Sequence, residues 1–356
     1  MYFTFQYFHL SACNSQDILR SKSSYTIVQA FQVQFHHNVP LEASFSLINI
    51  DASLANSFRR ILIAEIPTLA IEDVYVWNNT SIIQDEVLAH RLGLLPLTGN
   101  VEGLNWLKWC RRPTEDDPRE KECADYNTIE LKLQVECTWA PGQPQKGGTN
   151  DPKKLYNHSH VYAKDLTFHP VGRQMTYFDQ KSEDRIRPVN PDVLLVQLRP
   201  GQVINMDIQC HKGIGADHAK FSPVATATYR LLPTIDIVKP IIGADAKKFA
   251  RCFPRGVVGI QDVTEEESRR KDSEYEGRVG EKKAVVLNTM KDTVSRECLR
   301  HSEFDGKVKL GRIRDHFIFQ VESTGQYDSD LLFLESVRTL KAKCKRLRRS
   351  LDNLMR

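Results

Sequence analysis

From Ser329 to Met355 the chain places Val337, Leu340, Cys344, Leu347, Leu351 and Leu354 at steps of 3, 4, 3, 4 and 3. That spacing predicts one long helix, about 329–355, whose apolar residues form the narrow seam along which helices pair. No second helix of similar length and seam is predicted elsewhere in the sequence, so the seam is expected to face another chain. Around it run Arg338, Lys341, Lys343, Lys345, Arg346, Arg348 and Arg349. A solvated face favoured by the negative end of the helix dipole is the preferred reading of this basic run, with nucleic acid or an acidic protein as alternatives.

The remaining chain is long enough to bury a sizeable core. Its 356 residues are 41% hydrophobic and 26% charged, an ordinary globular composition for one or two domains. With 49 basic and 45 acidic side chains the formal charge is only +4, so no overall field draws it to nucleic acid or a membrane surface. The eight cysteines are scattered and form no C-x-x-C pair, which argues against a disulfide framework or a clustered zinc site and suggests a reducing compartment. Sequons at Asn78 and Asn157 matter only in a secreted chain. The opening MYFTFQYFHLSAC is apolar, but no basic residue precedes it and Gln6 and His9 interrupt it, so a signal peptide is disfavoured. No stretch approaches the ~18 apolar residues of a membrane helix.

Residues 27–50 read as two strands around Asn38-Val39-Pro40, followed by a helix from the probable N-cap Asp51 to just before Pro67. Glu72–Trp77 reads as a strand, and Ser81-x-x-Gln84 fits a capping box for a second helix ending at Gly93. From about 98 to 190 the composition turns charged and rich in Pro and Gly around strand-like pieces such as Ile129–Trp139, which suggests an inserted subdomain. Strands resume at 192–198, 202–211, 217–232 and 316–322, with a charged, solvated excursion expected over 262–283.

On the first helix Leu54, Phe58, Ile61 and Leu62 fall within one arc of about 100°, a core-facing stripe. Arg59 and Arg60 bracket Ile63 on the opposite face. Ordinary surface charge is one reading; an interface face is favoured, because guanidinium forks make planar bonds to partner carboxylates and carbonyls. His90 and Arg91 near the end of the second helix are explained by the helix dipole alone or by a partner. The segment KGIGADHAKFSP, 212–223, offers glycine, lysine and histidine, but extended chain rather than a helix follows it, so a phosphate loop is disfavoured. Its glycines are expected to permit close backbone approach, with Lys212, His218 and Lys220 projecting from a rigid turn. His158, His160 and His169 lack partners at metal spacing. The sequence contains no G-x-S-x-G elbow, H-E-x-x-H, Walker lysine loop or dinucleotide fingerprint, which shifts weight toward a binding or scaffold role.

The helix Asn56–Leu62 and DEVLAHRLGLLPL, 85–97, resemble the shared core of the alpha-like subunits of multisubunit DNA-directed RNA polymerases. Arg199-Pro200-Gly201-Gln202, KGIGADHAKFSPVATATYRLLP (212–233) and RDHFIFQVESTG (314–325) are similar to the larger alpha-like branch shared by eukaryotic polymerases I and III. The resemblance spans roughly 28–350. It implies an α+β fold: a discontinuous alpha-type dimerisation domain, 28–70 plus 195–356, interrupted by a mostly β insert domain, 71–194, with 1–27 left as an unassigned extension. It further implies a subunit that is not itself an enzyme. Such a subunit pairs with a small alpha-like partner, and the pair forms the platform for the two large catalytic subunits in rRNA, 5S rRNA and tRNA transcription.

Carried onto this sequence, the resemblance assigns Leu54, Phe58, Ile61, Leu62, Val337, Leu340, Cys344, Leu347 and Leu351 to the heterodimer interface. Arg59, Arg60, His90, Arg91, Gly93, Lys212, Gly213, Gly215, His218, Lys220, Phe221 and Pro223 are expected to face a large subunit or the small zinc-binding subunits. No cofactor and no metal are expected, because Cys110, Cys123 and Cys137 lack the paired spacing of the zinc site in the related polymerase II subunit. DNA is expected only through the complex, with no membrane contact, in the nucleus including the nucleolus. The alternatives are the polymerase II subunit itself and an independent nucleic-acid-binding protein. The N-terminus lacks the family's Pro/Gly-containing lead-in, so an alternative or misassigned start is a further expectation.

Overall fold

The computed structural model describes residues 31–110, 123–140, 152–178, 181, 184–268, 275 and 277–355. The expectations for 1–27, for most of the two insert loops and for the middle of the 262–283 stretch lie outside the described residues. The fold is α+β, and its contacts divide it into two compact units. Among the described residues one comprises 31–34, Phe45–Ala55 and Tyr229–Phe319; the other comprises Phe35–Ser44 and those within 56–228 and 320–355.

Four strands, β1 (Gln32–Val39), β2 (Glu42–Ile48), β7 (Val224–Ile237) and β10 (Val308–Ser323), form a sheet in the order β1-β2-β10-β7. The unit boundaries fall within these strands and within α1 (Ala52–Ala64). In the first unit Phe45 stacks on Phe319 with ring centroids 5.4 Å apart, and Tyr229 meets Phe317 edge-on at 5.3 Å. A second cluster gathers Ile235, Ile241, Phe249, Val257, Cys298 and Phe304 around α4 (Ala244–Arg251). It packs on the antiparallel pair β8 (Val258–Asp262) and β9 (Lys282–Val286). The charged stretch 262–283 is not simply solvated at its described ends. Lys283 is buried and pairs with Glu267 on the single helical turn Glu265–Ser268.

The second unit is built on an antiparallel sheet in the order β3-β6-β4-β5, from β3 (Thr68–Asn79), β4 (Ile129–Glu136), β5 (Thr167–His169) and β6 (Val203–Gly213). Alternation along β4 and β6 buries Ile129, Leu131, Leu133, Val135, Ile204, Met206, Ile208 and Cys210 on one face and leaves polar residues on the other. Helix α2 (Asp85–Gly93) lies against β3 through Leu88 and Leu92, and α3 (Val101–Trp106) is capped by the Asn100 side chain. The last helix, α5, runs Ser329–Leu354. Among the described residues no helix is long and apolar enough to cross a membrane.

Local chemistry fixes two helix starts differently from one another. Asp51 Oδ2 accepts from the Ser53 amide at 2.9 Å, the N-cap that the sequence predicts for α1. Ser81, in contrast, does not cap α2. Its hydroxyl donates to Asn79 Oδ1 at 2.7 Å within a turn, and Gln84 occupies the N-cap position without a side-chain bond. The asparagine competes successfully for the serine, as short polar side chains do in turns. Gly93 ends α2 as its final helical residue; the cap is Leu94 at φ −85°, so no left-handed glycine terminates the helix.

Candidate interaction surfaces

The first half of α5 belongs to the core. Ser329, Leu332, Phe333 and Ser336 are buried, and the Phe333 ring meets Phe58 edge-on at 5.5 Å. Ser329 Oγ donates to the Val39 carbonyl at 2.9 Å, and Lys343 Nζ reaches Glu65 just beyond α1 at 2.7 Å. After Ser336 no residue of the helix is buried: Val337 is 39% exposed, Leu347 66% and Leu354 83%. The seam Val337, Leu340, Cys344, Leu347, Leu351 and Leu354 therefore runs along roughly 26 Å of helix, at 1.5 Å per residue, partly covered at Leu340 and exposed at the other positions. Burying a leucine is worth about 1.5–3 kcal/mol, so the row is the largest regular reserve of unburied apolar surface on this helix.

On α1 the expected stripe divides. Phe58, Ile61 and Leu62 are buried within the chain's own core, completed by Ala55 rather than Leu54, which is 41% exposed. The whole first turn, Ala52–Leu54, is exposed. Position along the helix, not angle around it, decides the fate of Leu54. The seam residues of α1 thus support the helix pair from inside, while Leu54 and Ile63 remain open.

A second surface gathers residues that are remote in sequence. His90, Gly93, His218 and Lys220 line a hollow of about 250 Å³ with Ile71 and Glu72. A groove of about 770 Å³ is lined by Arg59, Ile63, Gly215, Lys220, Leu94, Ala225, Thr226, Thr228 and Gln326. Lys220 and Leu94 belong to both. The glycines act as expected. A Cβ on Gly215 would stand 2.3 Å from the Ile63 carbonyl oxygen, and one on Gly213 would stand 2.6 Å from the buried Phe221 ring. After the short turn Ala219–Phe221, Pro223 leads into extended β7, which leaves no helix N-terminus for a phosphate.

The lysines do not project as expected. Lys212 Nζ donates to the Leu104 and Leu107 carbonyls, both at 3.1 Å, and burial pushes its ammonium below the usual lysine range. Lys220 Nζ donates to the Ile71 carbonyl at 2.7 Å and pairs with Glu72 at 2.6 Å. Arg91 is exposed but donates to the Leu194 carbonyl at 2.7 Å, and Arg59 holds Asn56 Oδ1 through Nε and Nη2. Neither Arg60, Arg91 nor Lys212 lines the hollow or the groove. The sequence reading missed Gln326, whose Nε2 donates to the Leu97 carbonyl at 2.7 Å while its Oε1 accepts from the Leu69 amide at 2.9 Å. The turn signal of the preceding Gly325, at φ +99°, marks the place but not the reach of the side chain.

Among the described residues the cysteines 123, 137, 210, 252, 298 and 344 are free thiols, and no group of three or more His, Cys, Asp or Glu is placed to hold a metal. His218 Nδ1 accepts from the Lys220 amide.

The α+β fold thus ends in a long helix whose apolar seam is largely exposed. Residues 44–344 match the RNA polymerase Rpb3/Rpb11 dimerisation domain, and the chain belongs to that family. It is 49% identical over 325 residues to the DNA-directed RNA polymerases I and III subunit RPAC1 of Saccharomyces cerevisiae, covering 90% of this chain and 89% of that one. The proteins of the same description in Mus musculus and Homo sapiens are 43% and 42% identical, over 86% and 90% of this chain and 81% and 85% of theirs.

Proposed function

We propose that this chain is the alpha-like subunit shared by RNA polymerases I and III, an architectural part of the complex that performs no chemistry. The observation that carries this reading is the seam of α5 beyond Ser336, exposed along the chain's own most regular apolar row. A small alpha-like subunit would cover Val337, Leu340, Cys344, Leu347 and Leu351, with Leu54 at the exposed first turn of α1. Phe58, Ile61 and Leu62 would act from beneath, by holding α1 and α5 in place. The groove around Arg59, Gly215 and Ala225, with the hollow around His90 and His218, would receive a large subunit or a small zinc-binding subunit. Identity to relatives named for polymerases I and III favours this branch over polymerase II.

The discontinuous division into 28–70 plus 195–356 and an insert at 71–194 would then describe evolutionary parts rather than compact bodies. The protein would work in the nucleus, including the nucleolus, and meet DNA only through the assembled enzyme. Recovery of a tagged chain from its own cells tests this: a small alpha-like subunit and the large subunits of both polymerases should co-purify. Recovery with polymerase II alone, or as a free monomer bound to DNA, would overturn it.

A further inference from the structure

The flanks of the uncovered seam say what chemistry its partner must bring, given the pairing proposed above. In heptad terms Val337, Cys344 and Leu351 occupy one seam position and Leu340, Leu347 and Leu354 the other. The charged residues bordering the seam are Lys341 and Arg348 on one side and Lys343 on the other, all basic. Lys345, Arg346 and Arg349 lie further round, and Asp352 is the only acidic residue between Val337 and Leu354. Lys343 is held by Glu65 of the same chain; Lys341 and Arg348 are exposed.

If a second copy covered this seam in antiparallel order, Lys341 and Arg348 would oppose the same residues again, like charge against like; in parallel order Arg348 would face Lys343, which Glu65 of its own chain already engages, so neither order brings Arg348 an acidic neighbour from the copy's helix. Nucleic acid would neutralise the charges but leave Leu347, Leu351 and Leu354 in water, so it satisfies only half of the face.

We propose that α5 selects its partner by charge: the seam accepts an amphipathic helix with acidic flanks and rejects a second copy of itself. The basic face is then a device that makes the pair a heterodimer rather than an added nucleic-acid site.

Three labelled helical peptides, titrated with the full-length chain at low salt, test the proposal. One has leucine seams with glutamate flanks, one has the same seams with lysine flanks, and one copies residues 329–355. The glutamate peptide should bind on the order of tenfold or more tighter than the lysine peptide and the copy. Its advantage should shrink toward 1 M salt, where the screening length is about 3 Å, and should disappear in K341E/R348E, whose retained fold is checked by circular dichroism. Equal binding of the three peptides, tightest binding of the copy, or displacement of the glutamate peptide by duplex DNA would overturn it. Failure of the pairing reading shows separately: the native small alpha-like subunit would then not be recovered with the wild-type chain, whatever the peptides do.

Discussion

The ammonium of Lys220 stands 2.6 Å from the carboxylate of Glu72, which lets a turn between β6 and β7 grip the middle of β3. The side chains are only 13% and 22% exposed, so the pair works as a rivet rather than as a surface decoration. Removing Lys220 strands a half-buried carboxylate and frees the Ile71 carbonyl. Lys220→Ala should therefore destabilise the chain by about 2 kcal/mol, read from its urea midpoint, and Glu72→Gln by less.

Leu347→Asp should separate pairing from folding. At 66% exposure the leucine contributes little to the lone chain, so its melting should change by the equivalent of less than about 0.5 kcal/mol. A carboxylate in the covered seam loses solvation, so the heterodimer should fail to form in a pull-down. Leu332→Ala, in the buried half of the same helix, should give the reverse first effect, with about 2–5 kcal/mol lost by the chain alone.

Of the two glycines of the groove and the hollow, only one should resist a methyl. A methyl on Gly215 collides with the Ile63 carbonyl oxygen at 2.3 Å, so Gly215→Ala should cost about 1–3 kcal/mol in a thermal melt. At Gly93 the nearest atoms would be 3.7 and 3.9 Å away, an ordinary contact. Gly93→Ala should leave the melt within about 0.5 kcal/mol of wild type, and if Gly93 is a docking point it should weaken only large-subunit recovery.

The acid limb of stability should report Glu267. Its bond from Lys283 holds the carboxyl down to about 2, well below the ordinary glutamate value of 4.5. A carboxyl with a depressed folded pKa stabilises fully above its unfolded value and loses that contribution as the pH falls through the folded one. Unfolding of the wild type should therefore weaken progressively from about pH 5 toward pH 2, and Glu267→Gln should flatten that limb while lowering stability at pH 7.

Regular elements were legible where period and local capping decide them. The α5 seam announces a helix whose bounds the structure matches closely, Asp51 announces α1, and the Asn38–Pro40 break announces the β1–β2 turn. The misreadings share a cause. Lys212 and Lys220 turn inward to bond the carbonyls of Leu104, Leu107 and Ile71, more than 100 residues away along the chain. Gln326 bridges Leu69 and Leu97 in the same way. The sheet of the second unit depends in the same way on β6 pairing with β3 across more than 120 residues. Sequence shows which side chains carry charge; the partners that consume that charge come from topology.

The end of α1 illustrates what such topology costs a growing chain. Its Ala64 carbonyl accepts from the Ala216 amide at 2.9 Å, and Gly215 sits against Ile63. During synthesis the Ala64 carbonyl leaves the ribosome about 150 residues before the turn that satisfies it, an interval of roughly 8–30 s at 5–20 residues per second. Throughout that interval Phe58, Ile61 and Leu62 lack the later part of their core. Translation must continue into α5, whose Phe333 meets Phe58, so the pace of synthesis rather than the propensity of α1 itself sets how long this apolar face stands open to chaperones.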